Sequence, residues 1–113
     1  MPIREIEFLS EVESLRNGKE KYLVFFSSRV EGKLWCPDCV AVEELIYKTF
    51  GPEQGPSAAV VYVGQRSEWK SPDNIFRREP WPRLTAIPTI IRLSDDIRLV
   101  ERDVTEKLLA DIL

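Results

Sequence analysis

The chain has 113 residues, of which 43% are hydrophobic and 31% are charged, a size and composition typical of one folded domain. Its formal net charge is -3 and it has no long basic run, so neither nucleic acid nor a membrane surface is expected as a partner. No stretch approaches the roughly 20 apolar residues of a membrane helix. The N-terminal residues lack the basic start and continuous apolar stretch of a signal peptide. We therefore expect a single domain over residues 1–113, monomeric and cytoplasmic.

The first predicted elements are a helix and a buried strand. Apolar residues recur at helical spacing and end at an Asn-Gly helix stop signal, which predicts a helix over residues 5–16. A short edge strand over residues 2–6 is the alternative for the beginning of this stretch. A continuous aromatic and β-branched run predicts a buried strand over residues 22–27. Residues 28–34 read as a polar loop.

A helix, a strand and a short helix are predicted next. Proline suits the first helical position, and the apolar period that follows predicts a helix over residues 37–50. A second buried strand is predicted over residues 58–63. Residues 71–74 have the cap-then-proline pattern that starts a short helix, here extending to about residue 78.

The C-terminal third is predicted to hold a strand pair and a helix. Residues 89–93 and 97–101 read as two strands joined by a turn. Residues 105–113 place four apolar side chains on one helical face behind a cap at Thr105. The complete order of elements predicts an α/β fold, in which a central mixed β-sheet of about four strands is flanked by about four helices.

Two cysteines, Cys36 and Cys39, carry the candidate chemistry. The sequence has no histidine, which excludes histidine-based nucleophilic catalysis. Two cysteines alone do not supply four zinc ligands, so no metal site is predicted. Residues three apart on a helix share a face, with Cβ atoms about 5–6 Å apart, which modest adjustment brings into disulfide range. A CxxC pair near alternating strands and helices indicates a redox-active disulfide. A pair of inert cysteines or a fixed structural disulfide is the alternative.

The two cysteines are expected to differ in reactivity. The first N–H groups of a helix have no partner within it, and the helix dipole places partial positive charge there. The thiolate of Cys36 is therefore favoured, and Cys36 is expected to be the exposed nucleophile. Cys39 lies one turn further into the helix, which suits a shielded resolving thiol.

Three stretches of the sequence resemble a known family. Residues 35–39 read WCPDC and residues 86–89 read AIPT, which is similar to the thioredoxin superfamily. More narrowly, the chain resembles the thioredoxin domain-containing protein 17 family. It has WCPDC in place of the WCGPC of ordinary thioredoxins, and residues 27–34 form a longer segment ahead of the motif. Residues 63–77, VGQRSEWKSPDNIFR, are similar to that family's VGxRxxWKxPxNxFR stretch.

The resemblance covers nearly the whole chain and implies a thioredoxin-like fold with a role for each matching residue. It implies that Cys36 is the nucleophile, that Cys39 is the resolving cysteine, and that Pro37 and Asp38 tune the redox potential. It also implies that Pro88 is a cis-proline that faces the cysteine pair.

The remaining candidate residues are those expected to contact substrate. A cis bond between Ile87 and Pro88, which proline permits at low cost, exposes the backbone of Ile87 beside the motif, ready to pair with an extended substrate. Trp35 is expected to shape the substrate surface, and packing beside the motif is the alternative interpretation of this side chain.

The activity implied by the resemblance is that of a cytosolic disulfide reductase acting on small disulfides such as cystine and on selected protein disulfides. No bound cofactor is implied beyond the redox-active disulfide Cys36–Cys39, and NADPH is expected to supply electrons through thioredoxin reductase. Two alternatives stay open. One is a non-catalytic binding module on the same fold, and the other is an oxidase or isomerase of protein disulfides.

One position departs from ordinary thioredoxins. Thioredoxins carry a buried aspartate in the strand before the motif, which helps to move a proton at the resolving cysteine, and Phe25 occupies that place here. Asp38 is a candidate for proton transfer through water. The alternative interpretation is that Asp38 is a solvated acid that stabilises the start of the helix.

Overall fold

A computed structural model of the protein describes residues 3–7 and 12–113 and contains one mixed β-sheet and one small hairpin. The five strands of the sheet are β1 Ile3–Ile6, β2 Tyr22–Phe26, β5 Ala58–Tyr62, β6 Thr89–Arg92 and β7 Ile97–Val100. The hairpin pairs β3 Arg29–Val30 with β4 Lys33–Leu34. The described α-helices are α1 Glu13–Arg16, α2 Pro37–Phe50, α3 Arg66–Lys70, α4 Ile75–Arg78 and α5 Glu106–Ile112, and a short 3-10 helix at Glu101–Asp103 follows β7.

The strand order in the sheet is β1-β5-β2-β6-β7. β5 is parallel to β1 and to β2, whereas β2 with β6 and β6 with β7 are antiparallel. The helix α2 is the connection between the parallel neighbours β2 and β5, as a parallel pair requires. Every residue of β2 and β5 is buried, as their continuous apolar runs predict. The CxxC motif therefore begins the helix that follows a central strand.

The N-terminal helix predicted over residues 5–16 is wrong at its beginning. Ile3–Ile6 is an edge strand that pairs in parallel with β5, which is the alternative that the sequence left open. Helix is present only at Glu13–Arg16, and it ends at Asn17 as its stop signal predicts. The part of the prediction over residues 8–11 lies outside the described residues. Ladder hydrogen bonds to β5 outweigh the helical spacing of the apolar residues, because propensity is a weak prior against tertiary context.

The segment predicted as a polar loop over residues 28–34 contains the β3–β4 hairpin. Its two turn residues, Glu31 and Gly32, have φ angles of 53° and 84°. Positive φ at both central residues is what the tightest hairpin turns require. Asparagine or aspartate before glycine is the usual sequence signal for such a turn. Because glutamate stands there instead, the sequence gave little indication of a hairpin.

Two short helices follow β5 where the sequence predicted one. α3 begins with a reciprocal capping box between Gln65 and Glu68, and its N-cap glutamine is outside the usual set of capping residues. α4 begins after Asn74, whose side chain accepts a hydrogen bond from Phe76 N at 3.1 Å. The predicted start at residues 71–74 is therefore early, because Asn74 and not Ser71 caps the helix.

The last strands and the last helix confirm the predicted C-terminal order. Thr105 caps α5 by accepting a hydrogen bond from Leu108 N at 3.2 Å. Leu109 and Ile112 are buried, whereas Leu108 and Leu113 are exposed. Two of the four apolar side chains predicted to share a helical face therefore pack against the core. Among the described residues, every helix is too short or too polar to cross a bilayer.

Candidate redox-active site

The CxxC motif lies at the N-terminus of α2, as the sequence predicts. Cys36 is the N-cap residue, with an extended backbone (φ −91°, ψ 117°), and Pro37 occupies the first turn. The Cys36 carbonyl accepts the first helical hydrogen bond, from Val40 N at 3.0 Å. Pro37 and Asp38 are both exposed. This geometry places Cys36 at the positive end of the helix dipole and Cys39 within the first turn.

The two thiols differ in burial, and Cys36 is less accessible than the sequence predicted. Cys36 is 7% exposed and Cys39 is 0% exposed. The predicted order is thus confirmed, whereas the prediction that Cys36 is exposed is wrong. A loop that is distant in sequence covers it, since the Cys36 Sγ lies 4.0 Å from the carbonyl oxygen of Ile87. Both thiols are free.

Burial raises the pKa of the Cys39 thiol above its usual range, and hydrogen bonding to Cys36 raises it further. Hydrogen bonds from the backbone and the side chain of Ser27 act in the opposite direction. Cys39 therefore holds its proton in the reduced protein.

Ser27 is a site residue that the sequence analysis did not single out. It directly follows β2, is 0% exposed, and its Oγ accepts a hydrogen bond from Cys36 N at 3.2 Å. It lies two residues after Phe25, so the two side chains share a face of the strand. The sequence signal that could have identified Ser27 is its position as a polar residue at the end of a buried apolar run, because a buried polar group needs a hydrogen-bond partner.

The Ile87–Pro88 bond is cis, as predicted, and it presents the Ile87 carbonyl beside Cys36. Ile87 and Pro88 are both buried. A second cis bond, Trp81–Pro82, was not predicted. Trp81 is buried and its indole N–H donates to Asp96 Oδ1 at 2.8 Å. Both residues are far from the CxxC motif in sequence.

Trp35 is half-buried and held on both sides. Its indole N–H donates to the Gly64 carbonyl at 2.9 Å, and the guanidinium carbon of Arg66 lies 4.9 Å from the ring centroid. Arg66 also donates to the Trp35 carbonyl at 3.4 Å. Gly64 has a φ of 109°, a conformation that favours glycine. The ring therefore forms a fixed part of the surface next to Cys36, and its role toward substrate stays a prediction.

The β3–β4 hairpin is anchored next to the motif. Arg29 donates to Glu43 Oε2 of α2 at 2.5 Å, and Gln65 Nε2 donates to the Arg29 carbonyl at 3.1 Å. At its base, Trp35 N donates to the Ser28 carbonyl at 3.4 Å. The two ends of the hairpin therefore lie close together, beside the two cysteines.

Phe25 supplies packing at the position where ordinary thioredoxins have an acid. It is 0% exposed and its ring meets that of Phe76 edge-on, with centroids 5.7 Å apart. The prediction that β2 offers no acid is confirmed. In the described part of the chain, no three or more acidic or cysteine side chains cluster as metal ligands.

A dithiol that opens the helix after a central strand and faces a cis-proline, on a mixed sheet of this order, defines a redox protein of the thioredoxin fold. The profile of one family, described as "Thioredoxin domain-containing protein 17-like, thioredoxin domain", matches residues 4–113, and the chain belongs to this family.

Several curated proteins are similar to the chain over most of their length. Thioredoxin domain-containing protein 17 of Homo sapiens is 33% identical over 95% of this chain and 86% of its own length. The Danio rerio protein of that name is 35% identical over 78% of this chain and 72% of its own. Thioredoxin-like protein Clot of Oryza sativa subsp. japonica is 34% identical over 83% and 73%.

Proposed function

We propose that the protein is a cytosolic thiol–disulfide oxidoreductase that reduces disulfides with the Cys36–Cys39 dithiol. The observation that carries the proposal is the unequal setting of two neighbouring thiols. Cys36 is the N-cap residue of α2 and lies beside the backbone of Ile87, which is proposed to pair with substrate. Cys39 is fully buried one turn further into the helix. A nucleophile and a shielded resolving thiol require this asymmetry.

The proposed reaction has two exchange steps. The Cys36 thiolate attacks one sulfur of the substrate disulfide, which forms a mixed disulfide and releases the other substrate sulfur as a thiolate. Cys39 then loses its proton and attacks the Cys36 sulfur. The Cys36–Cys39 disulfide forms, the bond from Cys36 to the substrate breaks, and the second substrate thiolate leaves and is protonated. The substrate gains two electrons and the dithiol loses two.

The proposed substrates are small disulfides such as cystine and selected protein disulfides. The proposed electron donor is thioredoxin reductase, which returns two electrons from NADPH to the Cys36–Cys39 disulfide. Membership of the thioredoxin domain-containing protein 17-like family supports this assignment. Trp35, Ile87 and Pro88 are the proposed substrate contacts, and Pro37 and Asp38, both exposed within the motif, are the proposed tuning residues.

Reduction of cystine and of insulin, measured side by side, tests the proposal. With NADPH and thioredoxin reductase, the protein is expected to drive NADPH oxidation when cystine is added. Prior alkylation of the thiols should abolish the signal. If neither disulfide is consumed, and thiol-blocked protein still binds its cellular partners, the non-catalytic binding module replaces the reductase.

Removal of the β3–β4 hairpin is expected to widen the substrate range. A two-residue link in place of residues 29–33 should fit, because the base of the hairpin is already closed by the Ser28–Trp35 hydrogen bond. The hairpin lies beside the motif and should obstruct large partners more than small ones. We therefore expect the insulin-to-cystine activity ratio to rise several-fold in the NADPH assay.

The control for this variant is Glu31→Asn, which places a residue suited to positive φ in the same turn and keeps the hairpin. Its activity ratio should equal that of the wild type. An unchanged ratio after hairpin removal would show that the hairpin does not select substrates.

A further inference from the structure

We propose that Arg66, held against Trp35, forms a carboxylate-binding subsite beside Cys36, which selects small disulfides that carry a carboxylate close to the reacting sulfur. The inference rests on the proposed reductase function and names the substrate feature that this site recognises. Arg66 is the first residue of α3, so it lies outside both the CxxC motif and the cis-proline loop.

The peptide bond between Trp35 and Cys36 places Arg66 near the reacting thiol. Arg66 Nη2 donates to the Trp35 carbonyl at 3.4 Å, and this carbonyl carbon is bonded to the Cys36 nitrogen. Peptide dimensions therefore put the guanidinium within about 6 Å of that nitrogen. In a trans peptide the carbonyl and the N–H point in opposite directions. The N–H of this peptide donates to buried Ser27, so Arg66, which is exposed, lies on the opposite and outer side.

The Trp35 ring orients the guanidinium of Arg66. The guanidinium carbon lies 4.9 Å from the ring centroid, the arrangement in which arginine stacks on an aromatic face. The ring is itself held by the Gly64 carbonyl at 2.9 Å. A guanidinium has five N–H donors, and the contact with the Trp35 carbonyl leaves most of them to a ligand. A group held in place before binding loses less conformational freedom when the ligand arrives.

The charge of Arg66 is available to a substrate. Among the described residues, no acid forms an ion pair with it. The nearest acid in the sequence, Glu68, is engaged in the capping box of α3. Arg29 of the hairpin, by contrast, is paired with Glu43 at 2.5 Å. The chain has a net charge of -3 and Asp38 is exposed in the motif, so an anionic substrate needs a local cation to approach Cys36.

A carboxylate close to the substrate sulfur matches this arrangement. In cystine, each sulfur is three bonds from a carboxylate carbon, so a sulfur at Cys36 brings its carboxylate within reach of Arg66. The Ile87 carbonyl oxygen, 4.0 Å from Cys36 Sγ, is an acceptor and offers a carboxylate no hydrogen bond. Arginine pairs with carboxylate through two parallel N–H bonds. Such a pair would hold the sulfur near the thiolate, whereas a neutral disulfide gains nothing from it.

Two small disulfides that differ in charge test the subsite. Dithiodipropionate carries carboxylates, and hydroxyethyl disulfide is neutral. Each is mixed in excess with pre-reduced protein, without a reductase, and the remaining thiols are alkylated and counted by mass spectrometry. In Arg66→Gln the ratio of the two rate constants, carboxylate over neutral, should fall about threefold to tenfold, as expected for an arginine–carboxylate pair at the surface. Both rates come from the same protein sample, so incomplete folding does not change the ratio.

Salt and the conservative variant give two further readouts. The wild-type preference for the carboxylate should shrink as ionic strength rises, because salt screens exposed charges, whereas the ratio of Arg66→Gln should not fall. Arg66→Lys keeps the charge without the planar pair of donors, and its ratio should lie between those of the wild type and Arg66→Gln.

Arg77→Gln is the matched control. The guanidinium carbon of Arg77 lies 5.2 Å from the Trp69 ring centroid, and Arg77 donates to the Trp69 carbonyl at 2.9 Å. The variant thus removes the same kind of arginine–tryptophan pair away from the CxxC motif, and its ratio should equal that of the wild type. Lys33→Gln, which removes an exposed cation of the hairpin, should also leave the ratio unchanged.

The outcomes separate this inference from the proposed function. An unchanged ratio in Arg66→Gln would show that Arg66 binds no carboxylate. Equal slowing with both disulfides would mean that Arg66 acts on the Cys36 thiolate or on Trp35 alone. A ratio that falls in Lys33→Gln and not in Arg66→Gln would place the subsite on the hairpin. Each of these results overturns the inference and leaves the reductase standing. Pre-reduced wild-type protein that reacts with neither disulfide would remove both.

Discussion

Cys39→Ser is expected to accumulate a covalent adduct with disulfide substrates through Cys36. In the wild type, Cys39 lies one helical turn from Cys36, so its attack on the mixed disulfide is intramolecular. Well-oriented intramolecular reactions reach effective molarities of about 10⁵–10⁸ M, and the intermediate is therefore short-lived. Serine in place of Cys39 removes the only internal thiol that can resolve it. Mass spectrometry after exposure to cystine should show one added cysteinyl group.

The matched variant is Cys36→Ser, which should form no adduct and lose reductase activity completely. Cys39 cannot replace Cys36, because it is fully buried and burial raises the pKa of its thiol. Turnover of cystine by Cys36→Ser, or an adduct that maps to Cys39 in the wild type, would show that the two roles are assigned wrongly.

Phe25→Asp is expected to lower the free energy of unfolding by at least about 3–5 kcal/mol at pH 7, the cost of deleting a buried phenylalanine side chain. Phe25 is fully buried and packs edge-on against Phe76. The aspartate adds the cost of burying a polar group to that of the cavity. Since single domains are stable by about 5–15 kcal/mol, this change removes a large part of the total. Chemical denaturation followed by tryptophan fluorescence measures it.

The pH dependence of this variant identifies the buried carboxyl. Burial raises the folded-state pKa of the new aspartate above its unfolded value of about 3.9. Stability relative to wild type should therefore be greatest below about pH 4 and be lost as the pH rises through the folded-state pKa. Phe25→Asn should lack this dependence, and Phe25→Leu should cost less than either. An aspartate variant as stable as the wild type would show that this strand tolerates the acid that ordinary thioredoxins place there.

Much of the framework of the site could be predicted from local patterns. The central strands β2 and β5 are buried on both faces, so they appear as continuous apolar runs. Pro37 at the first position and the apolar period after it predict α2, and the spacing of Cys36 and Cys39 predicts a shared helical face. The cis bond before Pro88 came from the resemblance of the AIPT stretch to thioredoxins, and the structure confirms it.

Predictions from the same patterns were wrong for segments whose conformation depends on residues distant in sequence. Ile3–Ile6 has helical spacing with the residues after it, but it forms a strand because β5 offers a free edge. The hairpin turn has Glu31 where asparagine or aspartate is usual before the glycine, and Arg29 of the hairpin is held by Glu43 and Gln65 from two other elements.

The details that decide reactivity arise only when the chain is folded. Cys36 is buried because Ile87, 51 residues later, lies over it, and Trp35 is fixed by Gly64, 29 residues later. Ser27 binds Cys36 across the residues of the hairpin. A motif in the sequence identifies which residues can react. How readily each gains or loses a proton depends on burial and on hydrogen-bond donors, and tertiary packing supplies both.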